Sequence, residues 1–375
     1  MQRESRIPRP DWPAKVEALG FDFHTIDGAV YWDERACYRF DAGEVDKLEA
    51  ATAELQERAI EAAGRVIERG DYERFRIPEP FHALIERSWN ADEASLYGRF
   101  DLAWNGSGEP KMLEYNADTP TALLEASVVQ WYWLQDAFPE YDQFNSIHEK
   151  LVARWKEMRG ALPADGRVYF TCAMDSAEDR GNLDYLRDTA MQAGLDPRPI
   201  DIADIGWDGT RFVDLEEHAI AALFKLYPWE WLVREAFGAN LLAPGLTVIE
   251  PPWKMLLSNK AILPVLWEMF PGHPNLLEAS FEPGRFATDF VKKPLYSREG
   301  ANVAITADGR TIEAPGEYGE EGFIWQAYGE LGRFDGNYAV IGSWVVGGDP
   351  AGIGIREDAT PITRDTSRFV PHYFV

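Results

Sequence analysis

Two short segments of alternating apolar and polar residues carry the strongest chemical signal in the 375-residue sequence. Their polar positions include two carboxylates, one carboxamide and one guanidinium: Asp101, Glu114, Asn116 and Arg99. Because strand side chains alternate between faces, positions two apart share a face. Carboxylate and amide oxygens without Cys or His nearby suit Mg²⁺ rather than Zn²⁺, and a neighbouring guanidinium binds phosphate. The pattern predicts magnesium and phosphate chemistry or, alternatively, a cross-strand salt bridge on a solvated sheet face.

A turn signal between the two segments predicts that they form a β-hairpin. Residues 105–108 (NGSG) are of types that adopt positive φ readily. If these four residues are the whole loop, Trp104 pairs with Glu109, and Arg99 lies opposite Glu114. The four polar side chains then share one face, and a one-residue slip in register would separate them.

Composition narrows the function classes. A length of 375 residues suggests two or three lobes, and 46% hydrophobic residues argue against disorder. We expect no secretory signal and no membrane span, and the two cysteines, Cys37 and Cys172, are too few for a disulfide framework. We therefore expect a reduced, cytoplasmic protein. The net charge of -26 disfavours nucleic acid and anionic membranes as partners; it either steers a polycationic amine or only keeps the surface soluble.

Periodicity predicts helices that alternate with buried strands, followed by a strand-rich C-terminal region. A helix capped by Asp41 should run to about Glu68, and Thr119-Pro120 should begin another. The remaining predicted helices are 142–159, 176–193 and 259–270, the last capped by Ser258. Predicted strands of a parallel α/β region are 167–173, 197–202, 219–226 and 246–249. Predicted antiparallel strands are 287–293, 301–306, 322–328, 337–346 and 352–356.

Several motifs, in order along the chain, resemble the glutathionylspermidine synthetase family of ATP-grasp carbon–nitrogen ligases. They are RFD (99–101), LEYNADTP (113–120), EPPWKMLLSNKAILPVLW (250–267), FVKKPLYSREGANV (290–303) and IGSWVVGGDPAGIGIREDATPITRDTSRFVPHYF (341–374). The resemblance implies an α/β ATP-grasp fold with a parallel α/β (pre-ATP-grasp) lobe and an antiparallel nucleotide-binding lobe. The expected regions are 1–160, helical with the central metal-binding hairpin; 161–255, the parallel substrate lobe; and 256–375, the nucleotide-binding lobe.

The resemblance also implies a site for ATP and two Mg²⁺ ions. The implied metal ligands are Asp101, Glu114 and Asn116, with Glu114 bridging the ions. The implied catalytic residues are Arg99, which stabilises the transition state, and Arg356. The implied nucleotide-binding residues are Arg99, Lys260, Lys293, Gln326, Ala327 and Tyr328. The implied substrate-binding residues are Thr119, Glu178 and Asp179. The expected substrates are a small carboxylic acid or thiol-peptide and a (poly)amine, joined as an amide through an acyl phosphate.

Three departures from the family and several alternatives stay open. We expect no amidase domain before the motifs and do not predict its hydrolytic activity. Segment 224–231 (FKLYPWEW) lacks the threonine expected of the family. Glutathione and spermidine are only the default substrates, because short members of the family have no assured substrate. Lys292 adjoins Lys293 on a predicted strand, so only one of the two faces inward. The alternative role of Glu178 and Asp179 is to complement a helix dipole only. A catalytically silent ATP-binding regulator is the second hypothesis. The third is a glycoside hydrolase that uses Asp101 and Glu114 as its two carboxylates.

Overall fold

The computed structural model describes residues 1–26, 28–174 and 176–375. The α-helices are α1 (Trp12–Glu17), α2 (Ala42–Arg69), α3 (His82–Asn90), α4 (Gln130–Ala137), α5 (Ile147–Met158), α6 (Ala177–Gln192), α7 (Trp229–Leu232) and α8 (Ile262–Met269), with a π-helical turn, Glu125–Val129, directly before α4.

The β-strands divide at the hairpin that carries the metal-site motif. Those up to and including the hairpin are β1 (Gln2–Ser5), β2 (Thr25–Ile26), β3 (Ala29–Val30), β4 (Ala36–Phe40), β5 (Tyr97–Ala103) and β6 (Lys111–Asn116). The next are β7 (Arg167–Cys172), β8 (Asp196–Asp201), β9 (Gly206–Trp207), β10 (Phe212–Val213), β11 (Ala222–Leu226) and β12 (Thr247–Ile249). The last are β13 (Ala279–Ser280), β14 (Phe290–Pro294), β15 (Ala304–Ala307), β16 (Arg310–Glu313), β17 (Phe323–Ala327), β18 (Gly332–Phe334), β19 (Asn337–Val346), β20 (Asp349–Asp358), β21 (Arg368–Val370) and β22 (His372–Phe374).

Three larger sheets, one parallel and two antiparallel, surround the site. The strand order of the parallel sheet is β12-β11-β7-β8. The five-stranded antiparallel sheet has the order β13-β17-β14-β15-β16. A six-stranded antiparallel sheet joins β21-β20-β19 to the hairpin β5-β6, with β18 beside β19. Residues 97–116 and 332–370 therefore share one sheet, which crosses the boundaries expected between the three regions.

The long helix α2 packs against the six-stranded sheet. It begins and ends where the local sequence signals predict. Asp41 and Glu44 make a reciprocal capping box at its start, and Gly70 ends it in the left-handed conformation. Its buried face follows the helical period through Val45, Leu48, Leu55, Ala59, Ala62 and Val66. Thr52 on this face hydrogen-bonds Ser343 of β19, 2.6 Å away, and so ties the helix to the sheet.

Three predicted helix starts are wrong. The helix predicted over 142–159 begins five residues late, at Ile147. The helix expected from Pro120 begins only at Leu123, because Ala122 has φ 65° and the amide of Leu123 donates to Asn182 Oδ1 at 2.9 Å. Thr119 therefore caps no helix. Ser258 caps none either, since its hydroxyl donates to the carbonyl of Lys254 and α8 begins at Ile262. At Leu123 a contact distant in sequence overrides the local signal, whereas at Ser258 the competing hydrogen bond is a local one, to the residue four positions earlier.

Within the described ranges, no helix is both long and apolar enough to cross a membrane.

Candidate active site

The β5–β6 hairpin carries its four polar side chains on one face, as predicted, but its register differs from the prediction. Arg99 pairs with Asn116, and Asp101 pairs with Glu114. A β-bulge follows Asp101, and the loop spans residues 104–110 rather than 105–108. Bulge and loop together shift the pairing at the site by two residues. An even shift preserves the face, so the side chains still converge.

Hydrogen bonds join the four side chains of this hairpin face. Arg99 donates to both carboxylate oxygens of Asp101, at 2.6 and 3.0 Å. The Asn116 amide donates to Asp101 Oδ2 at 3.1 Å and to Glu114 Oε1 at 3.3 Å. Carboxylate and amide oxygens clustered in this way are the donors that Mg²⁺ prefers. Asp101, Glu114 and Asn116 therefore fit a magnesium site.

The surroundings shift the pKa values of the two carboxyl groups, those of Asp101 and Glu114, in opposite directions. Burial opposes ionisation of Glu114, but Lys260 and Lys293 lower the pKa of its carboxyl to about 2. Burial instead raises the pKa of Asp101, although Arg99 counteracts it. Glu114 is thus the group most firmly held as an anion, in the position where a cation would be attracted.

Gly342 on β19 makes room for the Arg99 side chain. It pairs with Asp101 across the sheet, and a Cβ there would lie only 2.8 Å from Arg99 Cδ. The glycine-dense stretch 342–354 lies in the β19–β20 hairpin. A glycine is required at position 342 because the Arg99 side chain packs closely against it.

Two lysines reach the hairpin from other elements. Lys260 Nζ lies 3.2 Å from Glu114 Oε2 and donates to the carbonyl of Ser297 at 2.9 Å. Lys293 Nζ on β14 donates to the carbonyl of Leu113 at 2.7 Å and to Gln326 Oε1 at 2.8 Å. Both side chains are buried at this junction. Three separate segments therefore deliver the carboxylates and the cations to one place.

Lys292 and Lys293 lie on opposite faces of β14, as strand alternation predicts. Lys293 is 6% exposed and lines a cavity between the two antiparallel sheets. Lys292 Nζ instead lies 3.8 Å from the ring centroid of Phe323. Burial lowers the pKa of Lys293 to about 8, although the nearby carboxylate of Glu114 opposes this shift.

The cavity at Lys293 has a volume of about 100 Å³ and is lined by Gln326, Ala327 and Tyr328 on one side and Val340 on the other. The amides of Ala327 and Tyr328 already donate to the carbonyls of Glu278 and Asp289, at 2.7 and 2.9 Å. A base held at this strand edge would therefore bond to carbonyl oxygens or side chains rather than to these two N–H groups. The residues predicted to bind the nucleotide lie together, but the backbone N–H groups of Ala327 and Tyr328 already have hydrogen-bond partners.

A larger cavity of about 600 Å³ adjoins the smaller one, and the two share Asp101 and Glu114 in their walls. Thr119, Glu178 and Asp179 all line the larger cavity. The last two lie in the first turn of α6, which follows the carboxyl end of β7. Ligands of parallel sheets gather at this end of the strands. The predicted substrate residues thus lie beside the predicted metal ligands.

Arg356 enters the same cavity from β20. Its terminal nitrogen is held by the carbonyls of Asp365, at 3.0 Å, and of Arg364. Its Nε is buried and has no hydrogen-bond partner among the described residues. A fixed guanidinium with an unused donor can bind an anionic group of a ligand.

Sequence reasoning missed a buried ion pair beneath the cavity. Lys225 Nζ lies 2.5 Å from Asp118 Oδ1, and Asp118 Oδ2 accepts the amide of Trp229 at 2.9 Å. Both charged side chains are buried, at 0% and 2% exposure. Asp118 stands within the LEYNADTP motif, but only the fold brings it to Lys225, 107 residues away. Glu230, Trp231 and Arg298 also line the cavity and were not singled out.

Comparison with known proteins finds similarity along the whole chain. The family model described as glutathionylspermidine synthase preATP-grasp matches residues 3–375. A Haemophilus influenzae protein provisionally named an acid–amine ligase is 43% identical over 396 residues, covering 100% of both chains. Trypanothione synthetase of Crithidia fasciculata is 29% identical, over 84% of this chain and 53% of its own. The bifunctional glutathionylspermidine synthetase/amidase of Escherichia coli is 25% identical, over 87% of this chain and 57% of its own.

The chain therefore spans little more than half the length of the latter two proteins. Among solved structures, a glutathione synthetase-like effector from Globodera pallida has a TM-score of 0.55 at 12% identity, covering 97% of this chain and 96% of its own. At that identity the likeness concerns the fold alone.

Proposed function

This chain belongs to the glutathionylspermidine synthase family, as its motifs predicted, and from that premise we propose that it is an ATP- and Mg²⁺-dependent acid–amine ligase. One observation carries the proposal. The oxygen cluster of Asp101, Glu114 and Asn116 meets two lysines, Lys260 and Lys293, where two sheets face each other across a cleft. Such a cleft suits a nucleotide triphosphate, whose negative charges need both cations and hard oxygen ligands for metal.

Each part of the cleft has a proposed role. Asp101, Glu114 and Asn116 would hold Mg²⁺, with Glu114 as a ligand of both ions if two bind, and the bound metal would supply positive charge next to the phosphates. Lys260 and Lys293 bind phosphate oxygens. Gln326, Ala327 and Tyr328 surround the base. The Arg99 guanidinium, which donates to Asp101 in this structure, would stabilise the developing charge of phosphoryl transfer.

The larger cavity takes the acid and the amine. Thr119 and Arg356 lie where they can bind the acid, and Glu178 and Asp179 supply negative charge for the amine. Joining a carboxylate to an amine requires an activated acid, which we propose is an acyl phosphate. The relatives' names indicate glutathione and spermidine as the first substrates to try. Within this scheme, residues 161–255 form the substrate lobe and residues 256–375 most of the nucleotide-binding lobe, with the hairpin of region 1–160 between them.

The test is a screen for ADP release over paired acids and amines, beginning with glutathione and spermidine. The proposal predicts release that needs ATP, Mg²⁺, the acid and the amine together. Mg²⁺-dependent nucleotide binding without turnover on any pair would favour the silent regulator. Hydrolysis of glycosides without ATP would favour the two-carboxylate hydrolase.

Isotope transfer tests the acyl phosphate itself. An acid labelled with ¹⁸O in the reacting carboxyl group should pass one labelled oxygen to the released phosphate, because the acyl phosphate breaks at the acyl carbon. Label that appears in AMP would replace this route by an acyl adenylate.

A further inference from the structure

A second large cavity lies beside α6, further along this helix than the proposed active site. It has a volume of about 670 Å³ and is lined by α6, α4, the π-helical turn before α4 and the start of α5. Sites for small molecules measure about 300–1,000 Å³, so this cavity is of the right size for one. We call it the α6 groove, after Asp184, Tyr185, Asp188 and Gln192 of α6, which form one wall. Among the described residues, none lines both the groove and the larger cavity of the proposed active site.

Aromatic side chains line the α6 groove. Trp131 and Tyr132 of α4 line it and remain 37% and 52% exposed. Tyr185 of α6 lines it as well, but its side chain is buried. Two neighbouring large aromatic residues that stay in water beside a cavity are typical of a binding surface. An organic cation is attracted to the face of such rings, and to that of Trp most strongly.

The acidic and basic side chains that line the groove are all carboxylates, those of Glu149, Asp184 and Asp188, and no Lys or Arg of the described chain lines it. Asp184 pairs with Arg187 at 2.6 Å. Asp188 accepts a hydrogen bond from the neutral amide of Gln192 at 2.8 Å. Since one cation faces three carboxylates, the groove is negative, and the chain's net charge of -26 adds to its attraction for cations.

A chain of hydrogen bonds fixes the wall that α6 forms. Gln192 donates its amide to Asp188, and its Oε1 lies 3.2 Å from His148 Nε2. His148 Nδ1 lies 3.1 Å from the Tyr185 hydroxyl. Because the Gln192 oxygen only accepts, a proton of His148 is on Nε2, and a neutral imidazole satisfies both bonds. The groove therefore needs no positive charge on His148, and this wall is formed before a ligand arrives.

The carboxylates are spread along the groove rather than gathered at one point. Asp184 and Asp188 are four residues apart on α6, which is about 6 Å along the helix axis. Glu149 comes from α5. In the described part of the chain, these three are not among the groups of acidic, His or Cys side chains whose ligand atoms lie within 4.8 Å of one another. An extended cation therefore fits better than a metal ion, and two ammonium groups joined by four methylenes have about the spacing of one helical turn.

We propose that the α6 groove binds a linear polyamine, a chain of methylenes that carries several ammonium groups. The ammonium groups meet Glu149, Asp184 and Asp188, and the methylenes pack against Trp131 and Tyr132. A lysine-rich segment of a partner protein carries the same charges, but the volume of the groove matches a small molecule. The first turn of α6 also lines the larger cavity, so an occupied groove places a cation on a helix that serves the proposed active site. This inference goes beyond the proposed ligase function and does not depend on it.

The test follows the binding of spermine by ¹⁹F NMR on the full chain labelled with 5-fluorotryptophan, at physiological salt. The Trp131 resonance, assigned by its loss in Trp131→Phe, reports on the groove. The Trp231 resonance, assigned in the same way with Trp231→Phe, reports on the larger cavity. Spermine at millimolar concentration or below should shift the Trp131 resonance until the shift saturates.

A matched pair of double variants tests whether the groove carboxylates cause this binding. In Glu149→Gln/Asp188→Asn, the Kd read from the Trp131 resonance should rise at least about fivefold, because two charged contacts are lost. The control Asp46→Asn/Glu49→Gln removes the same two charges from exposed positions on α2 and should keep the wild-type Kd.

An unshifted Trp131 resonance at millimolar spermine would overturn the proposal. An equal Kd in the groove variant and the α2 control would also overturn it, since binding would then follow net charge alone. A shift caused by a lysine-rich peptide but not by spermine would assign the groove to a protein partner instead. Movement of the Trp231 resonance alone would place the amine in the larger cavity only, with the ligase function left standing. Conversely, the absence of ADP release with every acid–amine pair would remove the ligase function and leave the groove site unaffected.

Discussion

Replacing Lys293 with Met should weaken nucleotide binding strongly, whereas the same change at Lys292 should hardly matter. Lys293 is 6% exposed, and its Nζ lies in the cleft, 2.8 Å from Gln326 Oε1 and close to the hairpin. Lys292 Nζ lies over the Phe323 ring on the other face of β14. Lys292 and Lys293 therefore give a matched pair of variants, because the same residue type is replaced at neighbouring positions and only the face of β14 differs.

The magnitude follows from the loss of one charged contact to phosphate. A hydrogen bond to a charged group contributes about 1.5–3 kcal/mol, which is about 10- to 150-fold in Kd. Calorimetric titration with a Mg²⁺-bound, non-hydrolysable ATP analogue measures the change for both variants. Lys292→Met should stay within about fivefold of wild type, because Lys292 lies on the face of β14 away from the cleft and a surface ion pair contributes at most about 1 kcal/mol.

The pKa of Lys293 adds a second signature. Because burial holds this pKa at about 8, the lysine is charged at pH 7 and mostly neutral at pH 9. Phosphate favours the charged form, so nucleotide affinity should fall by up to about tenfold as pH rises from 7 to 9. Lys293→Met should lack this fall. Equal losses in the two variants, or a larger loss for Lys292→Met, would refute the assignment of Lys293 to the cleft.

Three further variants test the site and its support. Glu114→Gln should lower substrate-dependent ADP release by on the order of a hundredfold while the melting temperature changes by only a few degrees; normal turnover would remove Glu114 from the site. Lys225→Met should destabilise the fold by about 3–5 kcal/mol in urea unfolding, since it leaves buried Asp118 unpaired, and adding Asp118→Asn should restore part of the loss. Glu125→Gln should stabilise the protein more at pH 8 than at pH 5, by on the order of 2–3 kcal/mol. Burial raises the pKa of Glu125 to about 7, so its contribution to stability is lost as pH rises from about 4.5 to 7; equal gains at both pH values would contradict this.

The sequence predicted those parts of the fold that local signals specify. The capping box of α2 and the apolar pattern of β19 placed both elements to within a residue or two. Alternation alone placed Arg99 with Asp101 and Glu114 with Asn116; the common face of all four also depended on the register, which differed from the prediction by an even number of residues. The pairing of the hairpin did not, because a bulge after Asp101 has no strong local signature.

Other features depend on contacts between distant segments. The helix after Thr119 starts late because Asn182, on α6, caps Leu123. The bond from Arg298 to Thr119 spans 179 residues. Such contacts arise only when the sheets assemble around the cleft. Local patterns therefore predicted which polar side chains of the hairpin come together better than they predicted the contacts between distant segments.

Thermal melting in the presence of nucleotide tests most directly whether the cleft binds ATP through magnesium. A ligand at 100 times its Kd stabilises the native state by about 2.7 kcal/mol, which raises the melting temperature by several degrees. We predict this rise with ATP and Mg²⁺ together, and a clearly smaller rise with ATP and EDTA, because Asp101 and Glu114 repel the phosphates when no metal is bound. An unchanged melting temperature at millimolar ATP and Mg²⁺, or an equal rise in EDTA, would contradict the assignment of this cleft as a magnesium–nucleotide site.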